Sequence, residues 1–153
     1  MALFLVQHGE SLPKDEDPNQ GLSRRGVVVT EAVATIAAEQ NVQVSRIIHS
    51  GKKRALQTAE IFMRALEPED GTIKGHGLAP MDDVTAFAAA LDHDENIMVV
   101  GHLPFMEKLV SHLVAGIPEK RLIRFHNSGI ICLDTEDEAE SWFISWALYP
   151  SPA

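Results

Sequence analysis

The fold class is indicated first by the N-terminal sequence Ala2-Leu-Phe-Leu-Val-Gln-His-Gly-Glu10. Its apolar part, residues 2–6, is short and rich in aliphatic and aromatic side chains, so it predicts a buried strand. His8 and Gly9 follow this strand at once. A strand that is apolar on both faces is typical of a parallel sheet covered by helices. Further short apolar runs of this kind occur along the rest of the chain.

Strands and helices are predicted to alternate along the chain. Further strands are predicted at residues 45–49, 72–76, 96–100, 130–133 and 142–148. Helices are predicted from a Ser23 cap to about residue 40, and over residues 52–66, 81–92 and 104–114. Alternation of this kind predicts an α/β fold: a single three-layer domain over residues 1–153, with a mostly parallel sheet and helices on both faces.

Length, charge and cysteine content narrow the class of protein. The chain has 153 residues, the size of one typical domain, and 13 basic against 22 acidic residues give a formal net charge of -9. That charge argues against a general affinity for nucleic acid or anionic membranes. The single cysteine, Cys132, excludes an internal disulfide, and residues 2–6 are too few for a signal-peptide core. We therefore expect a cytoplasmic protein without membrane spans.

Polar side chains follow three of the predicted strands. His8 follows the first strand, Ser50 and Arg54 follow the second, and His102 follows the strand of residues 96–100. In α/β proteins, ligands bind beyond the carboxyl ends of the strands, near the point where the strand order reverses. We therefore expect these four side chains to share one edge of the sheet.

The helix that begins after Ser50 predicts an anion site at this edge. Its N-terminal N–H groups and the positive end of its dipole attract negative charge. Arg54, in the first turn, adds a guanidinium that can bind phosphate oxygens in a bidentate manner. The alternative is that Lys52, Lys53 and Arg54 form only a solvated helix face. Basic residues are unfavourable at a helix start, and this favours an anionic ligand.

His8 is suited to nucleophilic chemistry, because Gly9 lets the backbone approach a ligand closely and leaves the imidazole exposed. A neutral imidazole can attack phosphorus and hold the phosphoryl group as an N–P intermediate that water then hydrolyses. Either His8 or His102 alone would be better explained as a structural histidine. Two histidines at neighbouring strand ends favour the catalytic interpretation.

Four motifs occur in order along nearly the whole chain. They are Val6-Gln-His-Gly-Glu10, Leu22-Ser-Arg-Arg-Gly26, Ser50-Gly-Lys-Lys-Arg-Ala-Leu-Gln-Thr-Ala59 and Val100-Gly-His-Leu-Pro104. In order and spacing they resemble the motifs of the histidine phosphatase superfamily, and the small branch of SixA-type phosphohistidine phosphatases fits best. Four motifs in the same order are far more specific than one histidine-glycine pair.

This resemblance implies a phosphoglycerate-mutase-like fold and a cofactor-independent phosphatase. It implies that His8 is the phosphorylated nucleophile, and that Arg54 and His102 stabilise the transferring phosphoryl group. The short chain lacks the insertions that build a sugar or inositol phosphate pocket in larger relatives. The expected partner is therefore the phosphorylated histidine of a phosphotransfer or kinase protein. The residues expected to bind phosphate are Gln7, Gly9, Ser50 and Arg54.

Gln7 departs from the family pattern, in which an arginine precedes the catalytic histidine. A neutral amide can still donate a hydrogen bond to a phosphate oxygen. Charge-assisted bonds contribute about 1.5–3 kcal/mol against about 1 kcal/mol for neutral ones, so reduced activity is expected. Lys52 or Lys53 is proposed to supply the missing charge.

The segment expected to supply the general acid also departs from the family pattern. Relatives that act on phosphate monoesters place a glutamate after the third strand, and the matching segment, Leu78-Ala-Pro80, has none. Asp82 and Asp83 are candidate acids, although two aspartates at a helix start are more often capping residues. A phosphohistidine substrate needs less help, since its imidazole can already carry a proton on the other ring nitrogen.

The sequence is also compatible with two other functions. One is a phosphatase or mutase for a small phosphomonoester, and the other is a catalytically weak phosphate-binding module, which Gln7 would favour. We predict no metal site, because the remaining histidines show no metal-ligand spacing. These histidines are His49, His76, His93, His112 and His126.

Overall fold

The computed structural model describes residues 2–92, 94–136 and 141–151, and its strands and helices alternate as predicted. The strands are β1 (Ala2–Gln7), β2 (Arg46–His49), β3 (Thr72–Lys74), β4 (Ile97–Gly101), β5 (Ile130–Thr135) and β6 (Trp142–Leu148). The helices are α1 (Arg24–Glu39), α2 (Lys53–Leu66), α3 (Val84–Ala89) and α4 (Phe105–Ala115).

The six strands form one sheet in the order β3-β2-β4-β1-β5-β6. The pairs β1–β4, β2–β4 and β2–β3 are parallel, whereas β5 pairs antiparallel with both β1 and β6. Because β4 enters between β2 and β1, the carboxyl ends of these three strands are neighbours. Val100 lies opposite Val6 on one side and His49 on the other. The residues that follow these strands therefore meet at one edge.

The strand side chains alternate between two hydrophobic cores. Phe4 and Val6 belong to the core that contains residues of α1 and α2, whereas Leu3 and Leu5 belong to the core that contains residues of α3 and α4. The helices therefore cover both faces of the sheet. The prediction of a three-layer α/β domain with a mostly parallel sheet is confirmed.

The start of α1 explains a glycine that is unfavourable inside a helix. The Ser23 side chain caps the helix by accepting a hydrogen bond from the backbone N–H of Gly26 at 2.9 Å. A Cβ at position 26 would lie only 2.1 Å from the carbonyl oxygen of Glu10. Glycine is thus required because α1 packs directly against the loop that follows His8.

Helix α3 is shorter than the prediction of residues 81–92. Asp82 closes a turn, since its backbone N–H donates to the carbonyl of Ala79 and its Oδ2 accepts from the N–H of Ala79. The helix then begins after the Asp83 cap and spans only Val84–Ala89. The turn at Asp82 keeps the start of the predicted segment out of the helix.

Across the described ranges, every helix is too short or too polar to cross a lipid bilayer.

Candidate active site

His8 lies directly after β1, at the edge where β1, β2 and β4 end. Its backbone N–H donates to the carbonyl oxygen of Gly101 at 3.0 Å. Its carbonyl oxygen accepts from Nδ2 of Asn127 at 2.8 Å. The backbone at His8 is therefore held by the neighbouring strand and by the segment that leads into β5.

The contacts of the His8 ring determine which nitrogen is free to react. Nδ1 lies 2.7 Å from the carbonyl oxygen of Gly9, which can only accept, so Nδ1 carries the proton. Nε2 then carries the lone pair in the neutral ring. Nε of Arg54 donates to this Nε2 at 3.3 Å. The ring is thus oriented with the lone pair of Nε2 next to the guanidinium.

Burial keeps the His8 imidazole neutral. Desolvation lowers the pKa of His8 below its ordinary value of 6.5, and the charge of Arg54 lowers it further, against an opposing effect of the Gly9 hydrogen bond. A lower pKa means that more of the ring is unprotonated near neutral pH. The neutral form is the one that can attack phosphorus.

Gly9 is required by contacts within the protein. Its backbone N–H donates to Oγ1 of Thr58 at 2.9 Å. A Cβ at position 9 would lie 2.7 Å from Oγ1 of Thr30 and 3.2 Å from Oγ of Ser128. The sequence predicts that Gly9 lets the backbone approach a ligand closely. In the structure, the groups that lie close to Gly9 are instead the buried hydroxyls of Thr30 and Ser128.

Arg54 lies in the first turn of α2, and Thr58 connects it to the loop at His8. The hydroxyl of Thr58, one turn later, donates to the carbonyl oxygen of Arg54 at 2.8 Å and accepts from the N–H of Gly9. Thr58 is fully buried. One hydroxyl therefore sets the distance between the helix that carries the arginine and the loop that carries the histidine.

His102 faces both His8 and Ser50. Its ring centroid lies 5.0 Å from that of His8, and its Nε2 lies 2.6 Å from Oγ of Ser50. Burial, with smaller contributions from the charges of His8, Arg54 and Lys52, lowers the pKa of His102 to about 3. His102 is therefore neutral at physiological pH and can take part in hydrogen bonds without adding charge.

Two buried polar atoms at this edge lack a partner in the described part of the chain: Oε1 of Gln7 and Nδ1 of His102. Gln7 ends β1 opposite Gly101, the last residue of β4, and His102 follows it. Because buried polar atoms in proteins normally have partners, these two atoms mark an edge that can bind a polar ligand.

The structure distinguishes the two lysines proposed to replace the missing arginine. Nζ of Lys53 lies 2.9 Å from Oδ2 of Asp17, and this hydrogen bond is the main cause that lowers the pKa of Asp17 to about 2. Lys53 is therefore already paired. The charge of Lys52 acts on His102, whose pKa it lowers. Lys52 is the better candidate of the two.

The two aspartates considered as general acids have structural partners. Asp82 accepts from the N–H of Ala79, and Asp83 caps α3 by accepting from the N–H and hydroxyl of Thr85. The hydrogen bonds from Thr85 lower the pKa of Asp83, which is opposite to what a general acid requires. Both contact patterns match the capping alternative.

In the described part of the chain, no group of three histidine, cysteine, aspartate or glutamate side chains could hold a metal ion. His93 lies outside the described residues. Burial raises the pKa of Cys132 to about 12, so its thiol stays protonated and unreactive near neutral pH.

The structure brings together His8, Arg54, Ser50 and His102, the four residues that the sequence placed at one edge. Sequence reasoning missed Thr58 and Asn127. Thr58 could have been found, because a residue four positions after Arg54 lies on the same helix face. Asn127 carries no such signal, since it approaches His8 from a distant part of the chain.

Comparison with known proteins gives one relative of similar sequence. An uncharacterized protein of Picosynechococcus sp. is 32% identical over 125 residues, which cover 76% of this chain and 74% of that protein. No protein-family model matches the chain.

Two solved structures of similar fold are those of phosphatases. The protein histidine phosphatase SixA, solved in complex with tungstate, superposes with a TM-score of 0.84 and 27% identity, covering 98% of this chain and 97% of the other. The α-ribazole phosphatase from Shigella flexneri superposes with a TM-score of 0.78 over 99% of this chain and 96% of its own. At 15% identity, that second likeness shows the fold alone.

Proposed function

Because the chain belongs to the histidine phosphatase superfamily and is similar to the protein histidine phosphatase SixA, we propose that it removes phosphate from the phosphorylated histidine of a signalling or phosphotransfer protein. The single observation that carries the proposal is the state of the His8 ring. Its Nδ1 is bound to the Gly9 carbonyl, and its Nε2 lone pair lies 3.3 Å from Nε of Arg54.

The first step forms an N–P bond at His8. Nε2 attacks the phosphorus of the substrate, the bond between phosphorus and the substrate imidazole breaks, and its electron pair stays on that imidazole. Where the other substrate nitrogen already carries a proton, the imidazole leaves as a neutral molecule. No proton donor from the enzyme is then needed.

The second step returns the enzyme to its starting state. Water attacks the phosphorus of phosphorylated His8, its proton passes to solvent or to phosphate, and the electron pair of the N–P bond returns to Nε2. Because Nδ1 keeps its proton on the Gly9 carbonyl throughout, His8 leaves as neutral imidazole. The Gly9 contact thus fixes the tautomer that suits both attack and departure.

The side chains around His8 are assigned to the phosphoryl oxygens. Arg54 supplies a fixed charge next to the attacking atom, and His102 supplies a neutral hydrogen-bonding ring held by Ser50. Gln7 takes the position of the family's arginine, and the charge of Lys52 reaches the same site. Preorganised donors of this kind stabilise charge that develops in the transition state.

The structural contacts of the two candidate acids favour phosphohistidine over a phosphate ester as the substrate. An ester oxygen leaves as an alkoxide unless a general acid protonates it, and the candidate carboxylates Asp82 and Asp83 are engaged in a turn and a helix cap. A phosphoimidazole avoids this requirement. The phosphomonoester reaction is the competing candidate, since His8 would attack phosphorus in the same way in both classes of substrate.

The deciding experiment compares two classes of substrate under the same conditions. We expect the purified protein to hydrolyse a phosphohistidine peptide with a kcat/KM far above that for p-nitrophenyl phosphate. A preference for the ester would support the phosphomonoester reaction. Binding of inorganic phosphate without turnover of either substrate would support the phosphate-binding module, and both results would contradict the proposal.

A further inference from the structure

A positively charged groove adjoins the phosphate site. It has a volume of about 640 Å³, includes Arg54 in its wall, and extends over the loop before α1. Its cationic lining residues are Lys14, Lys52, Lys53 and Arg54. Arg54 also contacts His8, so this side chain belongs both to the wall of the groove and to the site at His8.

A fifth cation stands beside this groove. The groove includes Gly51, whose φ of 91° is in the left-handed region. A Cβ at that position would lie 2.6 Å from Cε of Lys74. The stem of Lys74 therefore lies against the turn that forms the groove. We call Lys14, Lys52, Lys53, Arg54 and Lys74 the cationic cluster.

Most of this cluster is uncompensated by the protein itself. Lys53 pairs with Asp17 at 2.9 Å. Within residues 2–92, 94–136 and 141–151, no carboxylate lies within ion-pair distance of Lys14, Lys52 or Lys74. All three are exposed. In a chain of net charge -9, three lysines without a carboxylate partner lie around one groove, and a local concentration of cations of this kind attracts negatively charged groups.

We propose that the cationic cluster docks an acidic segment of the partner protein, next to the histidine that carries the phosphoryl group. This inference rests on the proposed function and adds a substrate class to it: phosphohistidine flanked by aspartate or glutamate. The unpaired lysines come from three separated parts of the chain, the loop at Lys14, the turn at Lys52 and strand β3. That spread matches an extended acidic segment better than a single small anion.

The docking is tested with two synthetic phosphohistidine peptides that differ only in their flanks, one with three glutamates and one with three glutamines. At about 10 mM salt, where surface charges act over about 30 Å, we expect the glutamate peptide to have at least a tenfold higher kcat/KM. At about 1 M salt, where the screening length is about 3 Å, the preference should vanish. Equal rates at low salt would overturn the proposal.

Two double variants locate the effect. Lys14→Gln with Lys74→Gln should abolish the preference for the glutamate peptide, while turnover of the glutamine peptide stays unchanged. The control is Arg64→Gln with Lys120→Gln, which removes two exposed charges elsewhere and should preserve the preference. Loss of the preference in both variants would show an effect of net charge alone and would contradict docking at the cationic cluster.

Two further measurements distinguish docking at the cationic cluster from failure of the proposed function and from binding of a small polyanion. If neither peptide is hydrolysed, the proposed function fails, and fluorescence anisotropy with the same peptides and variants tests the docking by itself. Equal affinities for both peptides would then overturn it. Inhibition by pyrophosphate is expected to be close to that by phosphate. Much stronger inhibition by pyrophosphate would assign the groove to a small polyanion and contradict the docking of a protein segment.

Discussion

The guanidinium Nε of Arg54 donates a hydrogen bond to Nε2 of His8 over 3.3 Å. This contact joins the first turn of α2 to the residue after β1, which are 46 positions apart. It shows which ring nitrogen faces the fixed positive charge.

His8→Ala should abolish turnover, since it removes the atom that forms the N–P bond. Acid-quenched wild type incubated with a phosphohistidine peptide should carry one phosphate, located at His8 by mass spectrometry. His76→Ala, at an exposed position, is the matched control and should retain full activity. Phosphate found on another residue, or substantial activity in His8→Ala, would exclude His8 as the nucleophile.

Arg54→Ala should lower kcat by about 10²–10³-fold, because it removes a preorganised charge next to the transferring group. Steady-state kinetics on a phosphohistidine peptide would measure the effect. Arg64→Ala is the control, since Arg64 is exposed and lies roughly 15 Å further along the same helix. A raised KM with unchanged kcat would show that Arg54 only positions the substrate.

Gln7→Arg should strengthen vanadate binding and raise turnover, because it restores the cation that the family carries before its catalytic histidine. The gain is bounded by the difference between a charge-assisted and a neutral hydrogen bond, about 0.5–2 kcal/mol. Gln7→Met is the control without a polar group and should lower both quantities. If Lys52 already supplies the charge, Gln7→Arg will give no gain and Lys52→Gln will instead reduce turnover.

Thr58→Val should lower kcat with little change in KM, because the loop at Gly9 and the first turn of α2 lose their shared hydroxyl. It should also destabilise the fold by about 1–3 kcal/mol, the cost of a buried donor left without a partner. Thr58→Ser keeps the hydroxyl and should restore kcat. Ile61→Val, in the same helix, is a control for lost stability. If Ile61→Val lowered kcat by the same factor, lost packing alone would explain the effect of Thr58→Val.

Stability should fall as pH is lowered from about 6.5 toward 4, since the unfolded chain binds a proton at His102 that the folded chain, with a pKa of about 3, does not. Each such group contributes a slope of up to about 1.4 kcal/mol per pH unit. Urea unfolding at several pH values would measure the slope. It should be shallower in His102→Gln than in the wild type. An unchanged slope in His102→Gln would show that His102 can be protonated in the folded protein.

The order of strands and helices could be predicted from the sequence because the signals are local. Short apolar runs indicate buried strands, and Ser23 and Pro104 stand at the helix starts. Rules of α/β topology then place the residues after β1, β2 and β4 at one edge. That reasoning identified His8, Ser50, Arg54 and His102 without coordinates.

Some features of the fold depend on contacts that no local pattern encodes. The length of α3 is set by a turn in which Asp82 binds back to Ala79. The antiparallel pairing of β5 with β1 follows from where the chain returns to the sheet. Neither contact changes the spacing of apolar residues, so neither was visible as a pattern.

The fold class and the meeting of His8, Ser50, Arg54 and His102 at one edge of the sheet could be predicted from the sequence alone. Only the tertiary structure decided the tautomer of His8, the pairing of Lys53 with Asp17, and the roles of Thr58 and Asn127. These contacts depend on both distance and direction. A hydrogen bond or an ion pair needs two atoms within about 3–4 Å at a suitable angle, and such distances between remote residues exist only once the sheet and helices have packed.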